Sequence, residues 1–230
     1  METKIINRQI AVIGASGRMG RLLTEILKNE FKNYEIIGID RGTFLEPSKK
    51  LKLVIDFATA ETSVQSAIFC AKHKVPLIIG STGQSNAQLY EIERASKHTC
   101  IVKAGNFSLG IAAIKQLIKS ISWLNASDII ILEKHHIAKK DAPSGTAIEL
   151  KSEIEKNLRV PVRVLSERGG KEIGTHTIDI YFGDEELSLS HKAFSRESFA
   201  SGVMRTAKVL LDGLDAALYT FDEILQKLKK

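Results

Sequence analysis

The chain has 230 residues, 43% of them hydrophobic and 26% charged, which is typical of a globular protein with one large domain or two small ones. Its apolar runs fall short of the roughly 20 residues that a membrane span needs, and its first residues lack a signal-peptide core, so we expect a cytoplasmic protein without a membrane partner. The net charge of +6 comes without a basic run that is interleaved with aromatic residues. Nucleic-acid binding is therefore disfavoured, and a cationic pocket for a small anion is favoured.

The first predicted element is a strand that runs into a glycine turn and a helix. The apolar run Gln9–Ile13 is followed by Gly14, Gly17 and Gly20 with the spacing GxxGxxG, and then by apolar residues at helical spacing. This is the context of a dinucleotide fingerprint, in which a pyrophosphate binds to free amides at the helix start. We expect Gly14 to permit the tight turn and Gly17 to let the backbone approach the pyrophosphate.

A second predicted strand, Tyr34–Ile39, ends at an acidic and a basic residue. Asp40 lies 20 residues after Gly20, where an acidic side chain typically binds the ribose hydroxyls. Arg41 would instead pair with a 2′-phosphate. The sequence therefore predicts NADH, NADPH or both as cofactor and leaves the choice open. The alternative is a structural turn with a solvated Asp–Arg pair.

Strands and helices keep alternating through the first half of the chain. Further strands and helices are predicted at Leu53–Phe57, 61–73, Val75–Ile79, 85–97 and Thr99–Val102. This alternation indicates a parallel, doubly wound sheet, whose ligands bind at the carboxyl ends of its strands. The polar, glycine-rich segments 80–83 and 104–107 are expected at that edge, with plain turns as the alternative.

The second half changes to a strand-rich pattern. Its predicted elements are helix 108–124, strand Ile129–Leu132, helix 145–158, strand Val162–Leu165, a turn at Arg168–Gly170, strands His176–Phe182 and Leu187–Ala193 around a hairpin, and helix 198–213. The tail 218–229 is expected to pack on the first domain. The fold class is therefore α/β, with an N-terminal Rossmann-type, doubly wound parallel sheet in residues 1–106 and 208–230 and an α+β domain in residues 107–207.

The segment 133–147 is the densest group of polar side chains, and it is predicted as the loop between a buried strand and a helix. His135 and Lys139 are four residues apart, so one can donate a proton while the other stabilises anionic charge. His136 faces another direction and is a candidate for substrate binding. Pro143–Ser144–Gly145–Thr146 offers a capping hydroxyl and free helix amides, which bind a carboxylate as readily as a phosphate.

Two other kinds of site are disfavoured at this segment. A zinc site would need a cysteine or a third histidine at motif spacing, and Cys70 and Cys100 are the only cysteines in the sequence. A serine-hydrolase elbow would need a glycine two residues before Ser144, where Ala142 stands. We therefore predict no metal site.

The segment Glu133–Ala147 resembles the signature of the dihydrodipicolinate reductase family, now called 4-hydroxy-tetrahydrodipicolinate reductase, through the pattern ExHHxxKxDAPSGTA. Other motifs match the family in the same order: Gly14–Gly20, Gly80–Gly83, Gly105–Phe107, Gly174–x–His176–Thr177 and His191–Ala193. The resemblance spans essentially the whole chain. It implies NAD(P)H-dependent reduction of 4-hydroxy-tetrahydrodipicolinate to tetrahydrodipicolinate in diaminopimelate and lysine biosynthesis.

The resemblance also implies roles for individual residues. His135 and Lys139 would be catalytic, with Lys139 as the proton donor. The substrate, a small dicarboxylate, would be bound by His136, Ser144, Gly145 and Thr146. The cofactor would be lined by Gly14, Ala15, Ser16, Gly17, Arg18, Met19, Asp40, Arg41, Gly80, Ser81, Thr82, Ala104, Gly105, Asn106 and Phe107. A homotetramer assembled through the C-terminal sheet is a further expectation.

Two competing functions remain open from the sequence. A related amino-acid or semialdehyde dehydrogenase would explain the nucleotide fold, but not the paired histidines with Lys139 and Ser144. A nucleotide-sensing regulatory protein would keep the fold without turnover, and it predicts eroded catalytic groups, whereas these groups are intact here.

Overall fold

A computed structural model describes residues 8–43 and 45–228 of the chain. Outside the described residues lie 1–7, 44 and 229–230. These include both ends of the predicted first domain and the last residue of the predicted tail. The chain forms two compact units. The first runs to Phe107 and resumes at Ala200, and the second comprises Ser108–Phe199.

The first unit is built around a six-stranded parallel sheet with the strand order β10-β5-β4-β3-β1-β2 among the described residues. Its elements are β1 Gln9–Ile13, α1 Arg18–Glu30, β2 Glu35–Ile39, β3 Leu51–Asp56, α2 Ala60–His73, β4 Leu77–Ile79, α3 Asn86–Ser96, β5 Ile101–Lys103, β10 Leu218–Tyr219 and α7 Phe221–Lys227. This arrangement confirms the predicted Rossmann-type sheet. The tail does return to this unit, because β10 pairs in parallel with β5.

The central strands of this sheet are largely apolar because helices cover both faces of a parallel sheet. Leu53, Ile55 and Ile78 are fully buried. Both cysteines are also buried, Cys70 in α2 and Cys100 just before β5. Burial raises the pKa of the Cys70 thiol, and it raises the pKa of Cys100 to about 11.

The second unit has a four-stranded sheet with the order β7-β6-β8-β9 among the described residues. Its elements are α4 Leu109–Ser120, β6 Asp128–His135, α5 Gly145–Leu158, β7 Val162–Arg168, β8 Gly174–Phe182 and β9 Glu185–Ala193. The strand β6 pairs in parallel with β7 and antiparallel with β8. The predicted hairpin is present between β8 and β9. The helix α6, Glu197–Asp212, then leads from the second unit back into the first.

Two strand ends were predicted too short, and the difference matters for the site. β6 continues through Glu133 to His135, so these residues lie on a strand and not on the predicted loop. β7 continues to Arg168, where the sequence predicts a turn. The reason is cross-strand pairing: Lys134 and His135 of β6 are in register with Glu167 and Arg168 of β7. Polar residues extend a strand where a neighbouring strand satisfies their backbone groups.

None of the helices among the described residues combines the length and the apolar character that crossing a bilayer demands.

Candidate functional site

The first candidate region is a cavity at the carboxyl ends of the first unit's strands. It has a volume of about 1140 Å³ and is lined by Gly14, Ser16, Gly17, Asp40 and Arg41, among others. These residues belong to the turn after β1 and to the end of β2. Five of the predicted cofactor residues therefore share one cavity.

The glycine turn leaves no room for side chains at Gly14 and Gly20. Gly14 has a φ of +79°, and a Cβ atom at Gly20 would lie 2.0 Å from the Gly14 carbonyl oxygen, so only glycine lets α1 approach the turn this closely. The residue before α1, Gly17, has no side chain that could cap the first helix amides. The turn and helix start therefore fit the pyrophosphate of a nicotinamide dinucleotide. Ala15, Arg18 and Met19 complete the turn and the first helical residues.

Asp40 is held by the same turn. Its carboxylate accepts hydrogen bonds from the Ser16 amide, at 3.0 and 3.1 Å, and from the Ser16 hydroxyl, at 2.8 Å. The Ser16 hydrogen bonds lower the pKa of Asp40, so the group is a carboxylate at neutral pH. Its exposed neighbour Arg41 lines the same cavity.

The other predicted cofactor segments follow β4 and β5. Ser81 is buried and accepts a hydrogen bond from Gln84, and a Cβ atom on Gly105 would lie 3.5 Å from the side chain of Thr82. The structure thus brings the two segments, 80–82 and 104–107, together at one edge, although neither lines the cavity. The ring of Phe107 packs against Phe57 and Phe221, so we expect only its backbone to face a cofactor.

The second candidate region lies in the second unit at the end of β6. Alternation along this strand turns Glu133 and His135 to the same, buried face. The Nδ1 atom of His135 makes a short contact with Oε2 of Glu133, and the Arg168 guanidinium lies 2.7 Å from Oε1 of Glu133. Burial alone would raise the pKa of Glu133, but hydrogen bonds from Arg168, Ser166 and His135 outweigh it and lower the pKa to about 2.

His135 is a neutral imidazole in this setting. Burial lowers its pKa, and the hydrogen bond and charge of Glu133 oppose that decrease without reversing it. The acceptor Glu133 then requires the proton on Nδ1, so that the Nε2 atom carries a lone pair. Gly174 lies beside Nε2, where a Cβ atom would be 3.0 Å away.

Lys139 lies on the loop that follows β6. Its ammonium group donates to both carboxylate oxygens of Asp141 at 2.8 Å, and its charge acts on His135 and His176. The predicted pair of His135 and Lys139 is therefore in one site. His136 is half-buried, and its amide donates to the Glu172 carbonyl at 2.7 Å.

Ser144 marks the start of α5, as predicted. Its hydroxyl accepts from the Ala147 amide at 3.2 Å and lies 3.3 Å from Nε2 of His176. The amide of Ser144 donates to Glu133 at 3.2 Å. Gly145 and Thr146, the first two helical residues, follow directly, so the helix start and the His135 group belong to one site.

Glu133, His135 and His176 present nitrogen and oxygen atoms within 4.8 Å of one another, a spacing that a metal ion could use. The Glu133 carboxylate already accepts from Arg168, His135 and Ser144, and a metal ion would compete with the Arg168 cation for it. The geometry is that of a hydrogen-bonded ion pair between Glu133 and Arg168. The absence of a metal site stays a prediction.

Three residues of this site received no role from the sequence. The sequence gives Glu133 only as part of a motif, and it predicts a turn at Arg168 and a hairpin strand at His176. The spacing of Glu133 and His135, two residues apart, could have placed both on one face of a longer strand. Arg168 and His176 reach the site by pairing with β6, a register that single-sequence patterns do not reveal.

Comparison with known proteins gives the family of this chain. Residues 8–107 match the family described as "Dihydrodipicolinate reductase, N-terminus", and residues 110–225 match "Dihydrodipicolinate reductase, C-terminus". The chain belongs to the dihydrodipicolinate reductase family. Both matches together span nearly all of the described residues, as the resemblance of the motifs led us to expect.

Individual dihydrodipicolinate reductases agree with this assignment. The 4-hydroxy-tetrahydrodipicolinate reductase of Wigglesworthia glossinidia brevipalpis is 33% identical, over 99% of this chain and 96% of the relative. That of Campylobacter jejuni subsp. jejuni serotype O:6 is 35% identical, over 94% and 98%. A dipicolinate-bound dihydrodipicolinate reductase from Paenisporosarcina sp. TG-14 shares the fold, with a TM-score of 0.76 at 20% identity over 94% of this chain and 99% of that one.

Proposed function

We propose that this chain reduces 4-hydroxy-tetrahydrodipicolinate to tetrahydrodipicolinate with NADH or NADPH, in the diaminopimelate and lysine pathway. Family membership over nearly the whole chain supports this activity. The observation that carries it is the site at the end of β6, where neutral His135, cationic Lys139 and the start of α5 meet. A regulatory protein without turnover would have no use for this intact group.

The reaction replaces a ring hydroxyl by hydrogen, so it takes up one hydride and one proton and releases water. A nicotinamide cofactor bound at the glycine turn supplies the hydride. Lys139 is positioned as the proton donor, because Asp141 orients its ammonium group at 2.8 Å. His135 presents the Nε2 lone pair, which can accept a hydrogen bond from the substrate or from Lys139.

We propose that one substrate carboxylate binds at the start of α5. The amides of Gly145 and Thr146 belong to the first turn of this helix, where the helix dipole favours an anion. Half-buried His136 would contact the same carboxylate from the loop. The relative from Paenisporosarcina is described with dipicolinate bound, which is a small dicarboxylate of this kind.

We propose NADH as the preferred cofactor. The Asp40 carboxylate is held in the cavity by three hydrogen bonds from Ser16, and a 2′-phosphate placed there would meet this negative charge. Exposed Arg41 offsets part of the repulsion, so NADPH is expected to work less well and not to be excluded. The division into a cofactor domain, 1–106 with 208–230, and a substrate and oligomerisation domain, 107–207, remains a prediction, as do the cytoplasmic location and the homotetramer.

The test is oxidation of NADH or NADPH in the presence of the freshly formed condensation product of pyruvate and aspartate semialdehyde. We expect turnover that depends on the condensation product, measured as the loss of the absorbance of the reduced nicotinamide. The control omits aspartate semialdehyde and should show no turnover. Absence of turnover by the wild-type protein with both cofactors would contradict the proposed function.

A further inference from the structure

Glu133 is a fully buried carboxylate next to the catalytic pair of the proposed reaction. A carboxylate without solvent costs several kcal/mol in general unless donors surround it. Here three of the donors are divided between its two oxygens: His135 contacts Oε2, whereas Arg168 and the Ser144 amide donate to Oε1 at 2.7 and 3.2 Å. The carboxylate therefore cannot rotate without breaking the contacts of one of its two oxygens.

The network continues from Glu133 to the lysine loop. The same Nη2 atom of Arg168 donates to the Asp141 carbonyl at 2.6 Å, and the Asp141 carboxylate holds Lys139 at 2.8 Å. A guanidinium nitrogen has two hydrogens, so it can serve both acceptors at once. One continuous chain of contacts thus joins His135 to Lys139 through Glu133, Arg168 and Asp141.

From this arrangement we infer that Glu133, supported by Arg168, is a positioning residue that fixes the Nδ1-protonated tautomer of His135 and ties its orientation to the Lys139 loop. The expected loss of kcat rests on the proposed function, whereas the expected tautomer of His135 does not. The tautomer follows from contacts within the protein itself. It can therefore be measured whether or not the substrate has been identified correctly.

Replacing Glu133 by glutamine keeps the size of the side chain and replaces one carboxylate oxygen by an NH₂ group. The glutamine oxygen must face the donors Arg168 and Ser144, so its NH₂ group faces His135 Nδ1 and forces the ring proton onto Nε2. A wrong tautomer in a comparable carboxylate–histidine pair costs about 10⁴-fold in kcat. We expect Glu133→Gln to lower kcat by roughly 10²- to 10⁴-fold and to leave the KM for NADH within about threefold.

The direct readout is ¹⁵N NMR of the His135 ring in wild type, Glu133→Gln and Glu133→Asp, assigned with a His135→Gln variant. We expect a protonated Nδ1 and a bare Nε2 in the wild type near neutral pH, the reverse in Glu133→Gln, and the wild-type tautomer with partly restored kcat in Glu133→Asp. The matched control is Glu167→Gln, which removes an exposed carboxylate that pairs with Lys134 at 3.0 Å on the neighbouring strand. This control should keep the tautomer and kcat of the wild type.

A wild-type spectrum with protonated Nε2 would overturn the inference, even if Glu133→Gln failed to fold. A folded Glu133→Gln protein with wild-type kcat would overturn it as well. If the wild type reduced no substrate but showed the expected tautomer, the proposed function would fail while the positioning role of Glu133 stood.

Discussion

Ser16 binds Asp40 twice, through its amide and through its hydroxyl, across 24 residues of sequence. The pair connects the glycine turn after β1 with the end of β2, and it places a carboxylate in the cavity of the first unit. Because the hydrogen bonds fix the Asp40 carboxylate, its effect on the cofactor is set before a nucleotide binds.

Replacing Asp40 by alanine should remove the acceptor for the ribose hydroxyls of NADH. A hydrogen bond to a charged group contributes about 1.5–3 kcal/mol, so we expect kcat/KM for NADH to fall by roughly 10- to 100-fold. The kcat/KM for NADPH should change by less than about threefold. The loss of the repulsion between the Asp40 carboxylate and the 2′-phosphate offsets the loss of a contact with the ribose. Steady-state kinetics with both cofactors measure this. In the matched Arg41→Ala variant, kcat/KM should fall more for NADPH than for NADH. Equal decreases for the two cofactors in both variants would contradict the assignment.

Lys139→Ala should remove the proton donor and keep the fold. We expect kcat to fall by roughly 10²- to 10⁴-fold, the usual contribution of a positioned acid, while NADH still binds. The neighbouring residue offers a control of the same type, because Lys140 is exposed. Lys140→Ala should keep kcat within about twofold of the wild type. Near-normal kcat in Lys139→Ala would show that another group donates the proton.

Ser144→Ala tests whether the start of α5 binds substrate in addition to beginning a helix. Loss of an N-cap costs about 1 kcal/mol of stability. The same loss is expected from Ser85→Ala, because Ser85 caps α3 in the first unit through the Gln88 amide. Both variants should therefore unfold at lower urea concentrations than the wild type. Only Ser144→Ala should also raise the KM for the dicarboxylate, and an unchanged KM would leave Ser144 with a purely structural role.

His176 should make the protein sensitive to acid. Burial lowers its pKa from 6.5 to about 4. The unfolded state therefore binds a proton more readily than the folded state, so stability is complete above about pH 6.5 and is lost as the pH falls through about 4. The loss attributable to His176 between pH 7.5 and 5.0 is about 2 kcal/mol.

Urea unfolding at these two pH values, followed by circular dichroism, measures that loss. A His176→Gln variant should show a smaller decrease in its free energy of unfolding between pH 7.5 and 5.0 than the wild type. His98 is exposed in the first unit, so His98→Gln should behave like the wild type. An identical pH dependence in wild type and His176→Gln would exclude His176 as the source.

Local patterns were sufficient to predict the parallel sheet, because alternating apolar strands and amphipathic helices determine it. The start of α5 was also predictable, since Ser144 precedes a helical pattern and caps it. The polar end of β6 was not: Glu133 and His135 are unusual inside a strand, and they are buried only because Arg168 on β7 and His176 on β8 supply partners. Such long-range partners depend on strand register, which the order of residues along one segment does not contain.

Both thiols of the chain are buried in the first unit, at Cys70 and Cys100, and their raised pKa values keep them in the unreactive, protonated form. A thiol reagent can modify them only after this unit opens locally. The modification rate therefore measures the opening of the first unit and does not report on the second unit. Saturation with a dinucleotide should slow the reaction, since ligand binding disfavours the open form. The wild-type sequence thus contains its own reporter of cofactor binding, with no label and no added cysteine.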